Sequence, residues 1–189
     1  MIRVMNEVQD RTPQHAPGPK PSMESLIEGL ASKQAEVRES SRKMLITHGI
    51  SAIKPLTALL SSRDPQIRWE AAKSLGEIHH KDSAAALASC LGDEHRDVRW
   101  VAGEGLISMG RDALEPVLKE LIGHADSVWV RGEAEHILRA QSEGRAALLP
   151  VLDALIGRAP LFEVPVAAFH ALKGVRTPAA TSPKRTRSR

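Results

Sequence analysis

The sequence predicts an all-α protein, a stack of about five two-helix repeats. Three observations carry this reading. A three-position apolar pattern recurs five times at nearly constant spacing. A second helical pattern lies between successive copies. The composition is 42% hydrophobic but only 3% aromatic, with no Tyr. Leu, Ala, Ile and Val must therefore fill the core, which suits helix-on-helix packing.

The recurring pattern is a β-branched residue, a small residue four positions on and Leu four further. It reads Val37, Ser41, Leu45, then Ile67, Ala71, Leu75, then Val98, Ala102, Leu106. It returns as Val130, Ala134, Leu138 and as Val164, Ala168, Leu172. The β-branched anchors stand 30, 31, 32 and 34 residues apart. Spacing of i, i+4, i+8 puts all three residues on one helical face. These are the B helices. The intervening stretches "AIKPLTALLSS", "SAAALASCLGD", "ALEPVLKELIG" and "ALLPVLDALIG" give the A helices. Pro55, Pro116 and Pro150 recur at one place in three of them and are read as first-turn prolines, whose missing N–H has no partner to lose. Asp64 before Pro65 is an N-cap signal. Gly49, Gly76, Gly110 and Gly174 fall near the ends of B helices, where a left-handed cap residue is wanted. One such hairpin cannot bury its apolar faces alone, but stacked neighbours can. The expected organisation is a leader over 1–21, a repeat domain over 22–174 and a basic tail over 175–189. Both ends read as disordered from their polar, Pro-rich or basic composition.

The net charge is +3, but it is unevenly placed. Arg176, Lys184, Arg185, Arg187 and Arg189 lie in the tail without an acid. Residues 22–174 hold 18 basic against 21 acidic side chains. The acidic body argues against nucleic-acid binding, which needs a basic footprint; the tail retains a weak, salt-sensitive contact. No apolar run approaches the roughly 20 residues of a membrane span, and no signal-peptide core is present. A cytoplasmic location is expected. The single cysteine, Cys90, makes neither an intrachain disulfide nor a Cys-based zinc site. It reads as a small buried hydrophobe.

"DPQIRWEAAKSLGEI" (64–78) and "DEHRDVRWVAGEGLISMG" (93–110) resemble HEAT repeats of the short kind, roughly 30 residues, found in phycobilisome-lyase-like proteins. The resemblance covers about Ser22 to Gly174. It implies an α-solenoid with B helices on the concave side and A helices on the convex side. It implies no single function. Similar repeats serve as scaffolds, bilin lyases and accessory subunits, and close relatives form an iron hydroxylase. That hydroxylase carries His-Glu pairs at the second and third positions after several anchors. Here those positions read Glu39-Ser40, Trp69-Glu70, Trp100-Val101, Gly132-Glu133 and Val166-Ala167. Without His in any of them, no metal site is expected, and no cofactor.

Two tryptophans sit oddly. Trp69 and Trp100 are each two residues after an anchor, nearly opposite the apolar stripe at about 100° per residue. Trp129 precedes its anchor by one. On a solenoid all three fall near the N-terminal ends of successive B helices. Two readings stay open: the rings pack between repeats, or they face a partner. Trp and Arg are enriched where proteins bind one another. The expected partner-binding set is Trp69, Trp100 and Trp129, with Glu70, Lys73, Glu104, Glu133 and His136 setting polarity. The partner is a protein. His136 and His170 share one offset on neighbouring B helices. Arg38, Arg68, Arg99 and Arg131 each follow an anchor, and Pro165 replaces the Arg in the fifth copy. This column is read as structural, pairing with Asp64, Asp93, Asp97 or Asp126. Leu161, Phe162 and Val164 are expected to cover the last core face. No nucleophile constellation or phosphate-cradling loop appears. The expected function is a non-catalytic scaffold. The alternative is an accessory enzyme handling a cofactor or chromophore, related to bilin lyases.

Overall fold

The computed structural model describes residues 20–176. Of the expected leader only Lys20 and Pro21, and of the expected tail only Val175 and Arg176, lie within them; the rest of both segments is outside the described residues. Among the described residues there are ten α-helices and no strand. They form five hairpins: α1 (Met23–Gly29) with α2 (Ala35–His48), α3 (Ile50–Leu59) with α4 (Pro65–Ile78), α5 (Ala84–Ser89) with α6 (Arg96–Met109), α7 (Arg111–Gly123) with α8 (Val128–Ala140), and α9 (Leu149–Ile156) with α10 (Pro160–Arg176). Short 3₁₀ turns flank α5 and precede α9. The B helices α2, α4, α6 and α8 stack in one row. The small and Leu positions of the repeat pattern are buried in all five copies. Val37 is the exposed anchor. No described helix is long and apolar enough to cross a membrane.

The local signals act as physics requires, with two corrections. Asp64 caps α4, its carboxylate accepting from the Gln66 N–H at 2.8 Å, with Pro65 following. Gly49 and Gly110, at φ +56° and +57°, each end one helix and begin the next. The chain reverses through that single residue, so α3 and α7 begin one turn earlier than their prolines suggest. Pro55 and Pro116 lie inside these helices, and only Pro150 stands in a first turn. The second correction concerns Gly76 and Gly174, which lie within α4 and α10 rather than at their ends. After α4 the left-handed position falls to His79, at φ 53°. Gly76 serves packing instead. A Cβ added to it would stand 3.1 Å from the Gly105 Cα of α6. The two backbones touch.

The fifth hairpin departs from the row. α10 lays its buried face against α7 and α9 rather than along α8. Its far end is tied to the start of α7. Arg176 pairs with Glu115 at 2.6 Å, and Arg111 donates to the Val175 carbonyl at 3.0 Å. Two expectations change. His136 and His170 are not on stacked helices. Leu161 and Phe162 do not cover the last core face, since both are exposed; Val164 is buried as expected. The Arg176 and Lys119 side chains hold the Glu115 carboxyl down at about 2. A depressed carboxyl stabilises above its unfolded pKa and loses that contribution as pH falls through the folded value. The pair is solvent-exposed and screened by water, so its contribution is small. Glu115→Gln should therefore melt slightly below wild type near pH 6. The difference should vanish between about pH 4.3, the ordinary Glu pKa, and pH 2. Paired thermal melts across that window check this.

Candidate functional site

The Arg column builds the frame on which the site stands. Each of the four guanidiniums reaches back six residues to a carbonyl in its own A–B turn: Arg38 to Ser32, Arg68 to Ser62, Arg99 to Asp93 and Arg131 to Ala125. Three of them also cross to a carboxylate of the following repeat. Arg38 Nε donates to Glu70 at 3.0 Å. Arg68 forms a two-pronged pair with Asp93 at 2.7 and 2.8 Å. Arg99 lies 3.6 Å from Glu133. Burial alone would raise the Asp93 carboxyl, but the Arg68 fork and the His95 N–H outweigh it, so the group is held below the ordinary Asp range. Asp93 was legible as a partner. Glu70 and Glu133 were instead expected to face a partner protein. Glu70 is only 2% exposed and is engaged by Arg38, Arg42 and Gln66. It orders the frame and does not meet solvent.

Above this frame the tryptophans divide. Trp69 is half-buried against the core, with the Arg42 guanidinium 5.8 Å from its ring centre. Trp100 is 56% exposed and Trp129 51% exposed. Arg99 stacks on Trp129 at 4.2 Å. Trp69 and Trp100 share a groove of about 620 Å³ across the N-terminal ends of α2, α4 and α6. Arg38, Arg42, Glu70, His95 and Asp97 are among the residues that line it. Arg42 was missed from the sequence. Its signal was there: five residues after its anchor, it points within about 60° of the tryptophan position on the helix wheel. Trp129 stands one helix further along the row.

Lys73 and Glu104 lie elsewhere on the row. They line a smaller groove, of about 290 Å³, toward the C-terminal ends of α4 and α6, with Glu77, His79 and Ser108. Lys73 pairs with Glu77 at 3.1 Å. His136 lies 3.7 Å from Glu104, and both side chains are well exposed. The eight expected residues thus fall into an aromatic part at the helix starts, a polar part toward the helix ends, and Glu70 and Glu133 in the frame between. Cys90 is buried, which pushes its thiol up to about 12 and leaves little thiolate at neutral pH. Among the described residues no three His, Cys, Asp or Glu side chains gather to hold a metal.

Residues 23–107 match the family of HEAT repeats. The chain is also similar to a solved structure, the complex of CpcE and CpcF of phycocyanin lyase from Nostoc sp. PCC7120. The likeness has 21% identity, covers 86% of this chain and 68% of that one, and has a TM-score of 0.47. No curated protein matches the chain. One expectation is corrected here. The sequence was read as that of a non-catalytic scaffold, with an accessory enzyme only as the alternative, yet the solved structure just described is that of a lyase. The lack of a recognisable nucleophile or metal constellation does not make this chain non-catalytic.

Proposed function

With residues 23–107 matching the family of HEAT repeats, we propose that the chain is a protein-binding module whose B-helix row takes a partner segment along Trp69, Trp100 and Trp129. The observation that carries this is the exposure of Trp100 and Trp129 on consecutive helices of one row. A tryptophan presents roughly 150–250 Å² of burial-seeking surface, and holding two of them half out of the fold is costly unless something covers them. Arg42 and Arg99 fix the Trp69 and Trp129 rings from one side, which limits the side-chain entropy lost on binding. Lys73, Glu104 and His136 extend the surface with charge of both signs. A second reading rests on the groove, whose volume of about 620 Å³ suits a small ligand or chromophore.

The test is capture from native host lysate by the full chain beside Trp100→Ala/Trp129→Ala. The expected result is a stoichiometric protein retained by wild type and lost by the variant. Capture that is identical in both would remove the tryptophans from the interface. A coloured or ligand-loaded wild type that captures no protein would favour the second reading.

A further inference from the structure

We propose that α9 and α10 form a self-complementary surface through which two copies of this chain associate, with their α10 helices antiparallel. The surface is separate from the tryptophan row and does not depend on that reading. It begins with an oddity of α10: the helix is apolar on two sides. Its inner side buries Val164, Ala168, Ala171 and Leu172. Its outer side carries Phe162, Val166 and Phe169 at i, i+4 and i+7, exposed by 78%, 59% and 49%. That spacing is a helix-packing stripe. Beside it α9 supplies Pro150 and Ala154. With Phe162, Val166 and Ala167 these border an open trough of about 580 Å³, with Asp153 and Glu163 on its rim. Monomeric proteins seldom expose a contiguous apolar patch of this kind.

The identity of the cover follows from the order of charges along α10. Residues 177–189 offer none, because they contain no Val, Ile, Leu, Met, Phe or Trp. A second copy does offer one. A two-fold surface must complement itself, and the charges along α10 are ordered for that. Asp153 and Glu163 lie toward the start of the stripe, and His170 and Lys173 toward its end. Antiparallel pairing about Val166 sets Glu163 of one copy beside His170 and Lys173 of the other, and sets each Phe162 near the other copy's Phe169. Parallel pairing would set like charges together, which is unfavourable. The ammonium of Lys173 already lies over the Phe169 ring at 4.4 Å, so the charged end of the stripe is held against its apolar part.

Sedimentation equilibrium of the full chain over a hundredfold concentration range tests this. Wild type should show reversible dimer mass. Val166→Glu should be monomeric with unchanged helical circular dichroism, since the position faces solvent. Phe162→Glu gives the same readout should Val166→Glu fail to fold. Glu163→Lys should weaken dimerisation at least tenfold, and Glu163→Lys/Lys173→Glu should restore it. Wild type that stays monomeric throughout overturns the proposal. The stripe would then be covered by the chain's own residues 1–19 or by a different protein. A dimer that both Val166→Glu and Phe162→Glu leave intact overturns it equally. A dimer for which the double reversal gives no recovery overturns the antiparallel arrangement.

Discussion

Replacing Arg68 with alanine is expected to lower the unfolding free energy by about 3–5 kcal/mol, the usual cost of breaking a buried ion pair from one side. The reason is the number of jobs this guanidinium performs. It closes the α3–α4 turn through the Ser62 carbonyl and holds Asp93 of the next repeat in a two-pronged pair. The two side chains are 8% and 10% exposed, so water cannot replace either function. Removal would leave Asp93 as a poorly solvated carboxylate and the turn carbonyl without its donor. Arg68→Lys should not rescue the loss, because an ammonium cannot match the fork geometry. Urea unfolding monitored by circular dichroism reads both. An Arg68→Ala protein within about 1 kcal/mol of wild type, the ordinary range for an exposed pair, would show that the column decorates the repeats and does not join them.

The second large effect is expected at the closest approach of the stack. Gly76 on α4 and Gly105 on α6 meet backbone to backbone, and a Cβ on Gly105 would stand 3.1 Å from the Gly76 Cα and 3.2 Å from Leu87 Cδ1. Leu87 can rotate, but the Gly76 backbone cannot. Gly105→Val must push α4 and α6 apart, and overpacking of this kind costs about 1–3 kcal/mol. Valine recovers only a few tenths of the helix propensity that glycine forfeits, so the net loss remains near 2 kcal/mol. Gly132 is the control. It is also inside a B helix, but a Cβ there meets nothing within 4 Å. Gly132→Ala should raise stability by up to about 1 kcal/mol through propensity alone. The opposite signs, read as urea midpoints, separate the contact from the residue type.

The parts legible in the sequence are those that local chemistry or periodicity decides. The spacing of Val37, Ile67, Val98, Val130 and Val164 marked the five B helices. The Asp64–Pro65 pair marked a helix start, and Cys90 read as buried. What escaped depends on which neighbour the fold supplies. Pro55 looked like a first-turn residue because a one-residue reversal at Gly49 is not expected from a pattern. Gly76 looked like a cap because nothing in α4 announces that Gly105 lies against it. Trp69 and Trp100 hold the same repeat position, yet one is packed and the other exposed. The difference lies on the preceding helix. Arg42 of α2 approaches Trp69, whereas the equivalent position on α4 is Ala72, which is too short to reach Trp100. α10 carries the repeat pattern but turns it toward α7 and α9, a choice of neighbour that the pattern does not encode.

The measurement that bears most directly on the function is the stability of Trp100→Ala/Trp129→Ala, determined by urea unfolding beside wild type. Its m-value reports whether the folded state has changed. If the two rings are held out for a partner, only the Arg99 stack on Trp129 is lost, and the cost is below about 1.5 kcal/mol, given the usual worth of an exposed cation–π contact. The same protein should then fail to retain the captured partner. A loss of about 3 kcal/mol or more, the scale of Trp→Ala in a packed core, would contradict this. The tryptophans would then be packing between repeats, and the binding surface would have to be sought elsewhere on the molecule.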